Sequence, residues 1–179
     1  MVKFKVLGMK QIIKLIGIIG LLLFLYGCKD DELTLQRVPY YGNELRIDGY
    51  YYHEYGEPAR KNIYFLYRNG IILYGTTPLT SEIEQTENMY QTGKYYELVK
   101  NDKTSWGVFL INGNTLKFEK WYSGEEAWAY ISEGEILNDT TFHITVSYRS
   151  NTTERREGNE IYHFRQFNSK PDSTNNFIK

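Results

Sequence analysis

The sequence predicts an all-β domain, an eight-stranded antiparallel up-and-down barrel with a short helical insertion, and three observations point to it. From Arg46 onward, short runs rich in β-branched and aromatic residues alternate with glycine and asparagine turns, the punctuation of antiparallel sheets. Asn69-Gly70 lies between two apolar runs, a strong short-range signal for a hairpin. Phe142, Ile144, Val146 and Tyr148 alternate with His143, Thr145, Ser147 and Arg149, the period of a strand with one buried face.

The first strand is expected over residues 46–55, with Tyr50 and Tyr52 facing one way and Tyr51, His53 and Tyr55 the other. Gly56-Glu57-Pro58 ends it, and residues 62–67 and 71–76 flank the Asn69-Gly70 turn. Residues 78–103 break the rhythm. Ser81-Glu82-Ile83-Glu84 has the spacing of a capping box, Gly93 can close the helix it begins, and residues 94–100 form a second amphipathic segment. This pair is expected to be a surface connection or a lid over one end of the sheet.

Strands resume at 106–111 and 115–121 around Asn112-Gly113-Asn114, with Leu116 and Phe118 marking the inner face. Residues 127–137 follow, bent or bulged at Gly134. After Asn138-Asp139 come the strand 142–149, a loop over 150–159, a last strand over 161–167 and a tail around Pro171. Eight sequential strands remove their exposed edges by closing into a barrel. Eight strands leave an interior filled by side chains or by one small ligand. A two-sheet β-sandwich is the alternative.

Residues 1–27 carry a different message. Lys3, Lys5, Lys10 and Lys14 come without any acid and precede an uncharged run over 15–27, the charged and apolar regions of a secretory signal peptide. Lys14 leaves that run short of the roughly 20 apolar residues a spanning helix needs. Leu25-Tyr26-Gly27-Cys28 resembles the lipobox of bacterial lipoproteins. The resemblance implies cleavage before Cys28 and lipid, including palmitate, attached to that residue. Cys28 is the only cysteine of the chain, so it has no partner for an internal disulfide.

Lys29-Asp30-Asp31-Glu32 resembles the export signal of Bacteroidota-type surface lipoproteins. It implies a lipid-anchored protein of the outer membrane displayed at the cell surface, with the periplasmic face as the alternative. Residues 28–44 are mostly polar and read as a lipidated cysteine followed by a flexible tether. The tether is expected to hold the barrel domain, 45–179, away from the membrane and facing the medium.

Charge and composition narrow the function classes. Removing residues 1–27 deletes four lysines and no acid, which leaves 17 basic side chains against 22 acidic ones and a net charge near −5. Nucleic acid is not expected as a partner, because phosphate binding needs a clustered basic surface and Arg155-Arg156 is too short a run. No cofactor is expected: the sequence has no phosphate-binding glycine loop and no dinucleotide fingerprint. His53, His143 and His163 fall on three different predicted strands without the spacing of a zinc site, so no metal is expected either. Glu125-Glu126 and Glu133/Glu135 sit beside glycine turns and read as solvated acids rather than a glycosidase pair. No catalytic residue is assigned.

Asp48-Gly49-Tyr50-Tyr51-Tyr52, Trp106-Gly107-Val108-Phe109 and the ending His163-Phe164-Arg165-Gln166-Phe167 make residues 45–175 resemble the lipocalin-like, or calycin-like, β-barrel lipoproteins. That resemblance implies ligand binding. Tyr50, Tyr52, Trp106, Phe118, Trp128, Phe142 and Tyr148 are the candidate inward-facing pocket residues. The expectation is therefore a noncatalytic module holding a small apolar molecule, glycan or peptide. An accessory subunit of a surface complex is the alternative, followed by a glycan hydrolase.

Overall fold

In the computed structural model the described residues are 31–124 and 127–179. Cys28, Lys29 and Asp30 of the lipobox and export signal, the signal segment itself, and Glu125-Glu126 lie outside them. The eight strands are β1 (Gly49–Tyr55), β2 (Arg60–Leu66), β3 (Ile71–Tyr74), β4 (Trp106–Asn112), β5 (Thr115–Tyr122), β6 (Trp128–Asn138), β7 (Thr141–Arg149) and β8 (Arg155–Gln166). Each pairs antiparallel with the next, and β8 closes on β1 from Gly49↔Gln166 to Tyr52↔His163. The fold is a closed up-and-down barrel, the architecture that the lipocalin-like resemblance implies, and the sandwich alternative falls away.

One cluster gathers Tyr51, Tyr64, Leu66, Ile72, Phe109, Leu116, Phe118, Ile136, Phe142, Ile144 and Tyr162, so every strand contributes to it. This is the barrel interior. A second cluster, with Tyr50, Ile63, Phe65, Ile71, Leu73 and Trp106, comes from the alternate residues of β1–β4 and is therefore on the outer wall. Helices α1 (Ile83–Gln91) and α2 (Lys94–Val99) cover it with Tyr90, Tyr95 and Val99, and Phe167 from the C-terminal stretch joins them. The insertion is thus an outer-wall cover and not a lid over a barrel end. A sheet apolar on both faces over four strands requires such a cover.

Several local expectations are corrected. Strand β8 begins at Arg155, so the second half of the predicted loop 150–159 is sheet. No side chain caps α1: a 3-10 turn over Thr80–Glu82 leads into it, and Ser81 and Glu84 do not form the capping box. In the β2–β3 turn only Gly70 takes a left-handed conformation (φ 81°), its N–H donating to Tyr67 O. This is a one-sided turn rather than one with two positive φ values. A Cβ on Gly70 would stand 2.2 Å from Val38 O, so the glycine also admits the N-terminal chain beside the turn.

That chain is not a free tether. Asp31 N–H donates to Ala127 O (3.0 Å), and the Asp31 carboxylate accepts from Ala129 N–H (3.1 Å) and from Arg149 Nε and Nη2 (3.0 and 3.1 Å). Trp121 Nε1 donates to Asp31 O (2.6 Å). Ala129 O accepts from Ser150 N–H just as β7 ends, so Asp31 fills the place beside β6 that β7 vacates. The Arg149 guanidinium holds the Asp31 carboxyl below its usual range, with the Ala129 amide adding to the effect.

Further on, Thr34 and Leu35 N–H groups donate to the fully buried Glu119 carboxylate (2.7 and 2.6 Å), which Ser150 Oγ also contacts. The chain then reaches the opposite barrel end, where Tyr40 and Leu45 join the interior cluster. Tyr40 Oη accepts from Leu45 N–H (2.8 Å), and Arg46 N–H donates to Asp139 O (2.9 Å). Residues 31–47 therefore strap one wall and plug one end. Glu119→Leu should strand the two strap amides and destabilise the protein by about 2 kcal/mol or more. Hydrogen exchange should show residues 33–36 deprotected while the amides of β4–β6 stay protected; equal loss in both would contradict a strap held by this carboxylate.

Candidate functional site

The turns β2–β3, β4–β5 and β6–β7 share the plugged end with residues 40–47. The β1–β2, β5–β6 and β7–β8 connections share the other end, which is open. There the interior becomes a cup of about 400 Å³ whose wall includes Asn62, Tyr64, Tyr74, Phe118, Lys120, Ser132, Ser147, Glu160 and Tyr162. It is continuous through Tyr122, Ser123 and Ser147 with a wider recess of about 580 Å³ at the mouth, bordered by Trp128, Tyr130, Arg149 and Arg156.

The floor is aromatic. Tyr64 packs on Phe118 and Tyr162 (ring centroids 5.1 and 5.6 Å), and Tyr162 stacks on Phe142 at 4.8 Å. Polar groups are paired above it. Asn62 Nδ2 donates to Tyr162 Oη (2.8 Å), which donates onward to Glu160 (2.8 Å), while the Ser132 and Ser147 hydroxyls lie 3.0 Å apart. Burial pushes the Tyr64 and Tyr162 hydroxyls well above the usual phenol range, so both remain protonated donors.

Lys120 sets the chemistry of the cup. On β5 it faces inward opposite Gly107 of β4. A Cβ on Gly107 would come within 2.7 Å of the Lys120 Cβ and 2.3 Å of Glu119 O, so only glycine leaves that space. The lysine is 4 % exposed. Its Nζ donates to Trp121 O (3.0 Å) and lies over the rings of Tyr122 (3.6 Å to the centroid) and Tyr74 (5.1 Å). Burial pulls its pKa down to about 7, with Asp102 opposing the shift. An ammonium has three donors, and the interactions around Nζ supply one hydrogen-bond acceptor and two ring faces. The charge on Lys120 therefore depends on pH near neutrality.

The seven predicted pocket residues do not converge. Phe118 lines the cup and Phe142 lies beneath it. Trp128 stands at the mouth on the inner register, opposite Tyr122, with the Arg149 guanidinium 4.5 Å from its ring centroid. Tyr50, Tyr52 and Trp106 belong to the outer wall instead: Tyr50 Oη donates to Glu87 of α1 (2.7 Å), and Trp106 Nε1 donates to Val99 O (2.9 Å). Tyr148 borders the mouth recess but sits on the outward register, its ring under Arg155 and its hydroxyl donating to Glu133 (3.3 Å). The cause is a bulge at Thr145, which moves the inner register from Phe142 and Ile144 to Ser147 and Arg149. Asp31 and Glu32 of the export signal are described, and Asp31 is the strap anchor.

Sequence reasoning missed Tyr64, Tyr74, Lys120, Glu160 and Tyr162. A signal for one of them was present: stepping by two from Leu116 and Phe118 along β5 reaches Lys120, a charge on an apolar face. The three histidines do not assemble. His53 contacts Ile161 O, His143 contacts Asn159, and His163 lies beside Tyr52. Among the described residues no group of three metal-ligating side chains forms.

The lysine's depressed pKa carries a stability consequence. The unfolded chain protonates Lys120 up to its ordinary 10.5, and the folded barrel only up to about 7. Between those values the unfolded state binds more protons, so this group's contribution to stability rises with pH across the window. Below about pH 7 its burial costs the fold most. Lys120→Met should therefore raise the melting temperature at pH 6 by several degrees and by clearly less at pH 9, measured by calorimetry. An equal gain at both would mean the folded lysine is not held near neutrality.

Neither models of protein families, nor curated proteins, nor solved structures give a match to this chain.

Proposed function

We propose that this protein is a noncatalytic binding lipoprotein of the Bacteroidota type. Cys28 carries the lipid, Lys29 to Glu32 address the chain to the outer membrane and the cell surface, and the open cup holds one small molecule. Lys120, buried but accessible from the mouth, is the observation that supports this reading most directly. Among small apolar molecules, glycans and peptides, the cup favours a small amphipathic molecule with an acidic group. The acid takes the Lys120 donors that otherwise face the Tyr74 and Tyr122 rings, and the apolar part lies against Tyr64, Phe118 and Tyr162.

The exposed aromatics bear on the accessory-subunit alternative. Three of the four exposed aromatics, Tyr55, Tyr122 and Trp128 (46, 38 and 38 % exposed), border the mouth or the cup, whereas Tyr41 and the aliphatic Val38, Leu98, Leu137 and Ile161 do not. A concentration of aromatic surface around an opening supports entry of a ligand more than docking by an outer face.

The test is mass spectrometry of small molecules released on denaturing the intact, detergent-extracted protein, in parallel for wild type and Lys120→Met. The wild type should release an acidic amphiphile that the variant retains about 10- to 100-fold less well, the range of a hydrogen bond to a charged group. Its affinity should fall by about tenfold per pH unit above pH 7, because binding must then recharge the lysine. Equal retention by both proteins, or an affinity flat from pH 6 to 9, would remove Lys120 from recognition.

A further inference from the structure

From the position of Asp31 we infer that the mouth of the barrel faces the bilayer carrying the anchor and forms a lipid-contacting surface, so that ligand enters the cup from the membrane side. The inference rests on the lipid attachment at Cys28 proposed above.

Asp31 is bonded to the β6 end of the open rim through Ala127, Ala129 and Arg149, and these are the residues from which Trp128 projects or against which it packs. Cys28 precedes Asp31 by three residues. Three residues span no more than about 10 Å even when fully extended. The backbone of Cys28 can therefore be no farther than about 10 Å from Asp31. The plugged end is far from it: apart from the short β3, strands of seven to twelve residues rising roughly 3.3 Å per residue separate the two ends by about 25 Å. A free tether over 28–44 would let either end approach the membrane; the strap removes that choice.

The side chains at the mouth are compatible with that orientation. Trp128, Tyr122 and Tyr55 are half-exposed at the mouth. Tryptophan and tyrosine, with an apolar ring and a polar handle, settle at the headgroup level of a bilayer. The plugged end also exposes Tyr41 and Leu137, so the choice between the two ends rests on the strap and not on the aromatics. The cup's Lys120 beneath aromatic walls then suits an acidic amphiphile drawn from the membrane.

The experiment uses the full chain, expressed with its signal segment and reconstituted into phosphatidylcholine vesicles that include a nickel-chelating headgroup lipid. The thiol of Cys28 is consumed by the lipid, so a cysteine placed at Thr152 (mouth) or Asn114 (plugged end) is the one free thiol for a spin label. Both positions are exposed. The label in Thr152→Cys should be strongly relaxed by the membrane-bound nickel and that in Asn114→Cys scarcely at all. Inserting a long Gly/Ser spacer between Asp30 and Asp31 should abolish the difference. Equal relaxation at the two ends without the spacer, or stronger relaxation at Asn114, would overturn the orientation. Intact mass of the same samples separates the two readings: an unacylated Cys28 removes the anchor and the inference with it, whereas an acylated chain with the wrong relaxation pattern removes the orientation alone.

Discussion

Everything about this molecule depends on the pairing of β8 with β1. Without it the sheet has two open edges and no defined inside; with it Tyr51, Phe142 and Tyr162 enclose one core. The closure needs Gly49 at its end, where a Cβ would fall 2.0 Å from Arg165 O. It also fixes which of three consecutive tyrosines is interior. Tyr51 looks inward, with its hydroxyl donating to Arg46 O and Asp139 O at the plugged end. Tyr50 and Tyr52 are committed to the outer wall.

Closure leaves two ends with opposite chemistry, and the difference comes from which segments lie across them. The plugged end is filled by Tyr40 and Leu45, and its edge is tied down by Lys170, whose Nζ donates to Ile47 O and Leu66 O. The open end receives no such segment, because the insertion that leaves β3 folds back over the outer wall of β1–β4 as α1 and α2. The inward residues there are consequently not hydrophobic filler but Asn62, Lys120, Ser132, Ser147 and Glu160 among tyrosines. Burying an ammonium in such a place costs stability unless something offsets it, and the faces of Tyr74 and Tyr122 offset part of that cost. Stability alone gains nothing from this lysine, which is what supports the proposed recognition role.

The barrel was legible in the sequence because eight runs with turn residues between them have few other ways to hide their edges. Strand count and order, the β2–β3 hairpin and the irregularity at Gly134 all follow from local patterns that the structure keeps. The faces were less legible. In β1 both sides are aromatic, since one lines the core and the other lies under α1, so alternation alone does not say which is which. In β7 the alternation is regular in the sequence, yet the unpaired Thr145 moves Tyr148 outward and Ser147 inward. A bulge of this kind depends on the strands on either side and leaves no mark in the run itself.

The strap shows a third limit of sequence patterns. Charged and polar residues near a chain terminus read as solvated because, taken locally, nothing repays their desolvation. Here the partners are 84 to 118 residues away: Glu119 for the amides of Thr34 and Leu35, and Arg149 for Asp31. A carboxylate buried on a strand is itself unfavourable unless donors reach it, and the strap amides and Ser150 are those donors, so the strap and the Glu119 site require each other. The segment between anchor and fold is thereby shortened from a seventeen-residue leash over 28–44 to the three residues before Asp31. Under the proposed lipidation of Cys28, so short a link would fix not only that the barrel stays at the membrane but which of its ends meets it.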